Sequence, residues 1–123
     1  MSKQHRRGDI YYCDLGRNHG SLQSGLRPVV ILQNDVGNRY SPTTIVVPMT
    51  SVKKKLNLPT HVPLEVSEIV DLQINMTNSV ILFEQILTVN TVELLEYLGW
   101  VNLDKADVIR ALGVSLGLLQ ISQ

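Results

Sequence analysis

Gly25-Leu26-Arg27-Pro28-Val29-Val30-Ile31 is the stretch on which the fold turns. From Arg27 to Gln33 the chain is nearly all apolar, and Pro28 stands at the start, where a missing N–H is tolerated. The segment reads as a central strand. It is entered from a polar run of about ten residues, 16–25, rich in Gly, Ser and Asn, and long for a connection inside a compact domain. Such loops tend to carry function. Arg27 therefore sits where a loop meets a buried strand. Its guanidinium offers five donors in a rigid fork and keeps its charge at any physiological pH, which suits an anionic partner such as phosphate.

Working outward, 7–15 reads as a first strand, with Ile10, Tyr12 and Asp14 alternating against Tyr11, Cys13 and Leu15. Residues 34–42 are dense in turn formers. The β-branched run 43–50 reads as a strand, followed by the basic turn Lys53-Lys54-Lys55. A strand through 61–66 carries Pro63, which argues for an edge position. Residues 79–88 read as one last long strand. From Asn90 the apolar spacing of Val92, Leu94, Leu95 and Leu98 predicts a helix capped by Asn90 with Glu93 at its third position. A final helix is expected with Asp104 as N-cap and a buried stripe of Val108, Ile109, Leu112, Leu116 and Leu119. Gly113 and Gly117 weaken that helix by about 1 kcal/mol each against alanine. Short strands without helices between them give a small, mostly β barrel with appended helices, not a βαβ sheet.

At 123 residues the chain has room for one domain, 1–123. No apolar run reaches the roughly 18–20 residues of a membrane span, and no apolar stretch of a signal peptide follows the basic start. Cys13 is the sole cysteine, so a reducing, cytoplasmic setting is expected and a packed rather than nucleophilic role for the thiol. Eleven basic residues balance eleven acidic ones. Bulk charge therefore does not hold this chain to nucleic acid. The charge is uneven, however, with five Lys/Arg before residue 28, three at 53–55, and the acids gathered between Glu65 and Asp107. A short local binding groove fits that distribution.

Motifs for zinc ligation, phosphate-binding loops and serine nucleophiles are missing, and His5, His19 and His61 have no carboxylate at ligand spacing. Neither a metal nor a nucleotide cofactor is expected. What remains is Arg27, Thr50 and Ser51 closing the third strand, His61 opening the fourth, and Glu84-Gln85 in the last. Alone, these describe a small β-rich domain with an anion site.

Taken together, they resemble the MazF/PemK (Kid) family of toxin endoribonucleases. The resemblance runs from Arg6 to Leu118. Its most specific blocks are Gly20-Ser21-x-Gln23-x-Gly25-x-Arg27-Pro28-Val29-Val30-Ile31, Gln33-Asn34-Asp35-Val36-Gly37-Asn38, Leu58-Pro59-Thr60-His61-Val62 and Ser79-Val80-Ile81-Leu82-x-Glu84-Gln85-Ile86. It implies an SH3-like barrel of the MazF, Kid and CcdB type, a homodimer, and metal-independent cleavage of single-stranded RNA. The implied products are a 2′,3′-cyclic phosphate and a 5′-hydroxyl. It also implies a cognate, MazE-like antitoxin segment that occupies the RNA groove. By position, Arg27 and Thr50 would be catalytic. Ser21, Gln23, Ser51, His61, Glu84, Gln85, Lys53 and Lys54 would contact or support RNA.

A guanidinium is a poor general base, so the expected role of Arg27 is to stabilise charge on the phosphorane, with Thr50 donating to a phosphate oxygen. His61 and Glu84 are the candidate bases. Tyr40 and Phe83 are expected to share in base contact, since aromatics are only 5% of the chain. The chain departs from the family pattern at Leu22, where many relatives are acidic, at Ser24, a frequent glycine, and at Leu87, a common arginine. Leu22 and Leu87 fall near the expected groove, so an altered cleavage preference is expected. The alternative is a noncatalytic toxin of the same fold that poisons a protein target such as DNA gyrase, and a further one is a degenerate member kept only to bind antitoxin.

Overall fold

The computed structural model describes residues 4–17, 20, 22–51 and 58–120. Among these residues seven antiparallel strands carry the fold. They are β1 (Asp9–Asp14), β2 (Leu26–Ile31), β3 (Thr43–Ser51), β4 (His61–Leu64), β5 (Ser79–Leu82), β6 (Leu87–Asn90) and β7 (Leu94–Trp100). Two helices, α1 (Asp35–Tyr40) and α2 (Ala106–Ser115), accompany them. The strand order is β4-β5-β3-β2-β1-β7, with β6 also on β3. The architecture is mostly β with appended helices, as the sequence pattern predicts, but the sheet does not close. Strands β4 and β7 end the path without meeting, although Val62 of β4 and Leu98 of β7 both enter one core.

The run Val29-Val30-Ile31 is continuously apolar because β2 is buried on both faces. Val30 packs with Ile10, Val47, Met49, Ile81, Phe83 and Leu98, while Val29 and Ile31 pack with Tyr11, Cys13, Val46 and Val89 on the other face. Cys13 is sealed, and burial first, then Glu93 and Asp14, push its thiol up to about 11. It is a packing residue.

Strand β3 is the hub. It pairs with β6 over Thr43–Val46, with β2 over Val46–Pro48, and with β5 over Met49–Ser51. Pro63 does lie in β4, an end strand.

Several elements differ from their predicted form. Residues 34–42 hold the short helix α1 instead of a turn, with the Asn34 side chain accepting from the Gly37 N–H and Pro42 just beyond the end. The long strand 79–88 breaks at a 3-10 turn, Phe83–Gln85. The helix predicted after Asn90 is only a 3-10 turn, Thr91–Glu93, in which the predicted Asn90–Glu93 capping box does form. Residues 94–100 then extend as β7, because pairing with β1 (Leu94 opposite Cys13, Tyr97 opposite Tyr11) outweighs leucine's helical preference. The N-cap of α2 is Lys105, not Asp104, and Lys105 pairs with Glu68. The buried face of α2 is Val108, Ala111 and Gly113, whereas Ile109, Leu116 and Leu119 are largely exposed. Its end is sharp. Gly117, at φ +74°, lets its own N–H reach the Val114 carbonyl and the Leu118 N–H reach Gly113. Among the described residues no helix is long and apolar enough to cross a membrane.

The N-terminal segment crosses behind α1. The Gln4 side chain donates to the Asn38 carbonyl, and the Arg7 N–H donates to Asp35. His5 Nε2 is buried there without a hydrogen-bond partner. Burial lowers the His5 pKa from its ordinary 6.5, against the opposing pull of Asp9 and Asp35. In the folded protein the ring stays neutral at a pH where the unfolded chain takes up a proton. Stability is therefore full above pH 6.5 and falls as pH drops toward the depressed folded value, then levels off. Thermal melts between pH 7.5 and 5 are expected to show this decline, and His5→Gln to flatten it.

Candidate active site

The geometry of the site follows from where β2 and β3 part. Their ladder ends at Val29 opposite Pro48, and Pro28 and Pro48 remove two backbone donors at that point. Beyond it β3 turns to β5, with Thr50 opposite Val80 and Ser51 opposite Ser79. Arg27 stays on β2, opposite Cys13 of β1. The split leaves Arg27 on one lip and Thr50–Ser51 on the other.

A cavity of about 460 Å³ opens there, and it gathers most of the predicted residues. Gln23, Arg27, Thr50, Ser51, His61, Glu84 and Gln85 all line it, and Leu22, Leu58, Val80 and Leu82 form its apolar wall. Ser21, Lys53 and Lys54 lie outside the described residues. A larger cavity of about 600 Å³ includes His5, Tyr11, Val92 and Leu95 but none of the predicted site residues. Its lining carries no arginine and no paired acid and base, so the smaller cavity is the better candidate.

Arg27 is exposed, and its Nε–H donates to the Ser24 carbonyl at 3.0 Å. That bond aims the fork while leaving both Nη groups without a carboxylate partner among the described residues. The neck of the 16–25 loop is tied by backbone bonds, Leu15 N–H to Gly25 O at 2.9 Å and Gly25 N–H to Gly16 O at 2.8 Å. Gly16 and Gly25 both sit at φ +72°, a conformation that glycine adopts without strain. Further along, the Gln23 N–H donates to Gln85 Oε1 at 2.9 Å. Gln85 thus joins the loop to the turn across the groove.

The break at Phe83–Gln85 is what presents Glu84 and Gln85. Phe83 is fully buried, its N–H bonds to the Thr60 carbonyl, and its own carbonyl accepts from Ser115 Oγ at 2.6 Å. Held between β4 and α2, it fixes the turn above it. Glu84 then spreads its carboxylate over two neighbours. Thr60 Oγ1 donates to Oε1 at 3.0 Å, and His61 Nε2 lies 2.9 Å from Oε2. The His61 side chain is only 10% exposed, so this pair is partly shielded from water. An imidazole bound to a carboxylate beside an unpaired guanidinium and a hydroxyl can hold an anion and accept a proton.

Two predicted base contacts do not hold. Phe83 is sealed in the core, and Tyr40 is 75% exposed on α1, with the Arg39 guanidinium 5.4 Å from its ring centre. Leu87 is also away from the cavity, half-buried on the opposite face with Val46 and Val89. Of the three departures only Leu22 lines the groove. Conversely, Leu58, Val80 and Leu82 escaped the sequence reading as groove residues, since an apolar side chain, in the β5 strand or just before β4, looks alike whether it faces a core or a groove.

Comparison with known proteins bears on this site. The family model for PemK-like, MazF-like toxins of type II toxin–antitoxin systems matches residues 6–114. The chain is 47% identical over 115 residues to the endoribonuclease MazF of Staphylococcus saprophyticus, covering 92% of each. Among solved structures it is similar to an endoribonuclease from a mycobacterial species, at 26% identity and TM-score 0.71, over 94% of this chain and 93% of that one. A mycobacterial endoribonuclease in complex with its cognate antitoxin matches at 27% identity and TM-score 0.69, over 95% and 99%.

Proposed function

The chain belongs to the PemK-like, MazF-like toxins of type II toxin–antitoxin systems, and from that premise we propose how its groove cuts RNA. The protein is an endoribonuclease. The substrate in this reading is single-stranded RNA in the cytoplasm. The observation that carries it is the convergence of Arg27, Thr50 and the His61–Glu84 pair on one cavity at the β2–β3 split.

In this mechanism the 2′-hydroxyl attacks the adjacent phosphorus and the bond to the 5′-oxygen breaks. The proton leaves the 2′-oxygen for the His61–Glu84 pair, the departing 5′-oxygen takes a proton from water to end as a hydroxyl, and the pair gives its own proton back to solvent. Charge accumulates on the nonbridging oxygens of the phosphorane. The two Nη groups of Arg27 and the Thr50 hydroxyl meet that charge with directed donors. Glu84, already shared between Thr60 and His61, orients the ring. Gln23, Ser51 and Gln85 hold the chain in line, and much of the rate comes from that positioning. No step calls for a metal. A flexible segment of a cognate antitoxin would block the same groove, and the active form would be a homodimer.

Incubation of the purified protein with a mixed-sequence RNA pool in EDTA tests this directly. Fragments with 5′-hydroxyl and 2′,3′-cyclic phosphate ends are expected, and DNA of the same sequences, lacking the nucleophile, is expected to stay intact. An uncut pool, or fragments bearing 5′-phosphates, would overturn the reading.

A further inference from the structure

Arg27, Thr50 and Ser51 line a second cavity as well as the first. On the far side of this ridge lies a space of about 310 Å³ whose other walls include Tyr12, Asn75, Met76 and Thr77. The two cavities share no other residue. A chain whose phosphate rests on the ridge must send its neighbouring nucleotides in opposite directions. One falls toward His61, Glu84 and Gln85, the other toward the 74–77 segment.

That segment is built to present polar groups. Ile74 and Met76 are half-buried and pack on the main core, while Asn75 and Thr77 alternate with them and are exposed. The Thr77 carbonyl accepts from the buried Ser79 Oγ at 3.1 Å, which fixes the segment's exit into β5. No described residue takes up the Asn75 amide or the Thr77 hydroxyl. An amide with a donor and an acceptor side by side can bond the edge of a base, and Met76 and Tyr12 offer polarizable surface against its face.

We propose that this second cavity is a base-reading subsite for the nucleotide across the scissile phosphate from the His61–Gln85 side, with Asn75 and Thr77 selecting the base. The inference rests on the reading of Arg27 and Thr50 as the phosphate clamp. It assigns specificity to two residues that take no part in bond cleavage.

The test is end sequencing of a randomised RNA pool cut by the wild type, Asn75→Ala, Thr77→Val and Gln85→Ala. Asn75→Ala is expected to lose about tenfold of the preference at a position on one side of the cut, the scale of a bidentate base contact. Thr77→Val should relax the same side, and Gln85→Ala the other. A wild type that leaves the pool intact overturns the cleavage reading and this inference with it. A wild type that cuts while Asn75→Ala and Thr77→Val keep its preferences on both sides overturns this inference alone. So does a shift in those variants on the side that Gln85→Ala alters.

Discussion

Arg27→Ala is expected to slow single-turnover RNA cleavage by about a hundred- to a thousandfold, some 2.7–4 kcal/mol of transition-state stabilisation. The size follows from the side chain's setting. Nε is spent on the Ser24 carbonyl, and in the proposed mechanism both Nη groups are left to meet charge that appears only as the phosphorane forms. A donor of that kind lowers the barrier without tightening the ground state. Binding of an RNA blocked at its 2′-oxygen should therefore weaken far less than the rate falls. Arg27→Lys should recover only part of the loss, because an ammonium is a point charge without the planar fork. Neither change should move the melting temperature much, since Arg27 is exposed and its side chain makes one hydrogen bond among the described residues. Cleavage by Arg27→Ala at the wild-type rate would remove the guanidinium from the mechanism.

The position of this arginine was legible because the strand behind it is. Continuous burial on both faces of β2 leaves an unbroken apolar run that few other environments would produce. Where burial is one-sided or pairing decides, the sequence is ambiguous. Leu94, Leu95 and Leu98 recur at helical spacing, yet the partner strand β1 draws them into β7. The stripe 108, 109, 112, 116, 119 likewise predicts the buried face of α2, and Val108 and half-buried Leu112 keep to it, but Ile109, Leu116 and Leu119 do not, and small residues, Ala111 and Gly113, are what let the helix approach the core. Turn residues near Glu84 give no warning of the break, because Phe83-Glu84-Gln85 contains neither glycine nor proline. That turn forms because its neighbours hold it, through the Thr60 carbonyl and Ser115. Most of the candidate site residues stand in ordered motif blocks, whereas Thr50 and Ser51 follow only from their position at the end of the third strand. Asn75 and Thr77 had no such block to reveal them, and only the alternation of the 74–77 segment against a folded core separates their side chains from Ile74 and Met76.

The second large effect lies beneath the site. Phe83→Ala is expected to destabilise the fold by about 3–5 kcal/mol, the range for emptying a sealed aromatic position. Phe83 has no exposed surface and packs in the core that joins β1–β5 to β7 and α2, where close neighbours leave little room for collapse. Against the roughly 5–15 kcal/mol that holds a typical domain folded, that is a large share. The consequence reaches the chemistry, because the backbone of Phe83 sets the turn that carries Glu84 and Gln85. Denaturant unfolding should show a lower midpoint with an unchanged slope, the mark of lost stability without a change in the surface exposed. At a temperature where the variant is still folded, its cleavage rate should also fall, since His61 and the 16–25 loop are held through that turn. Phe83→Leu, which refills most of the volume, should restore much of both. A Phe83→Ala protein as stable as the wild type would mean that the core under the site is far softer than its close packing implies. Full activity in a destabilised Phe83→Ala would instead separate the turn's geometry from the aromatic ring, leaving the backbone bonds to Thr60 and Ser115 as sufficient support for Glu84 and Gln85.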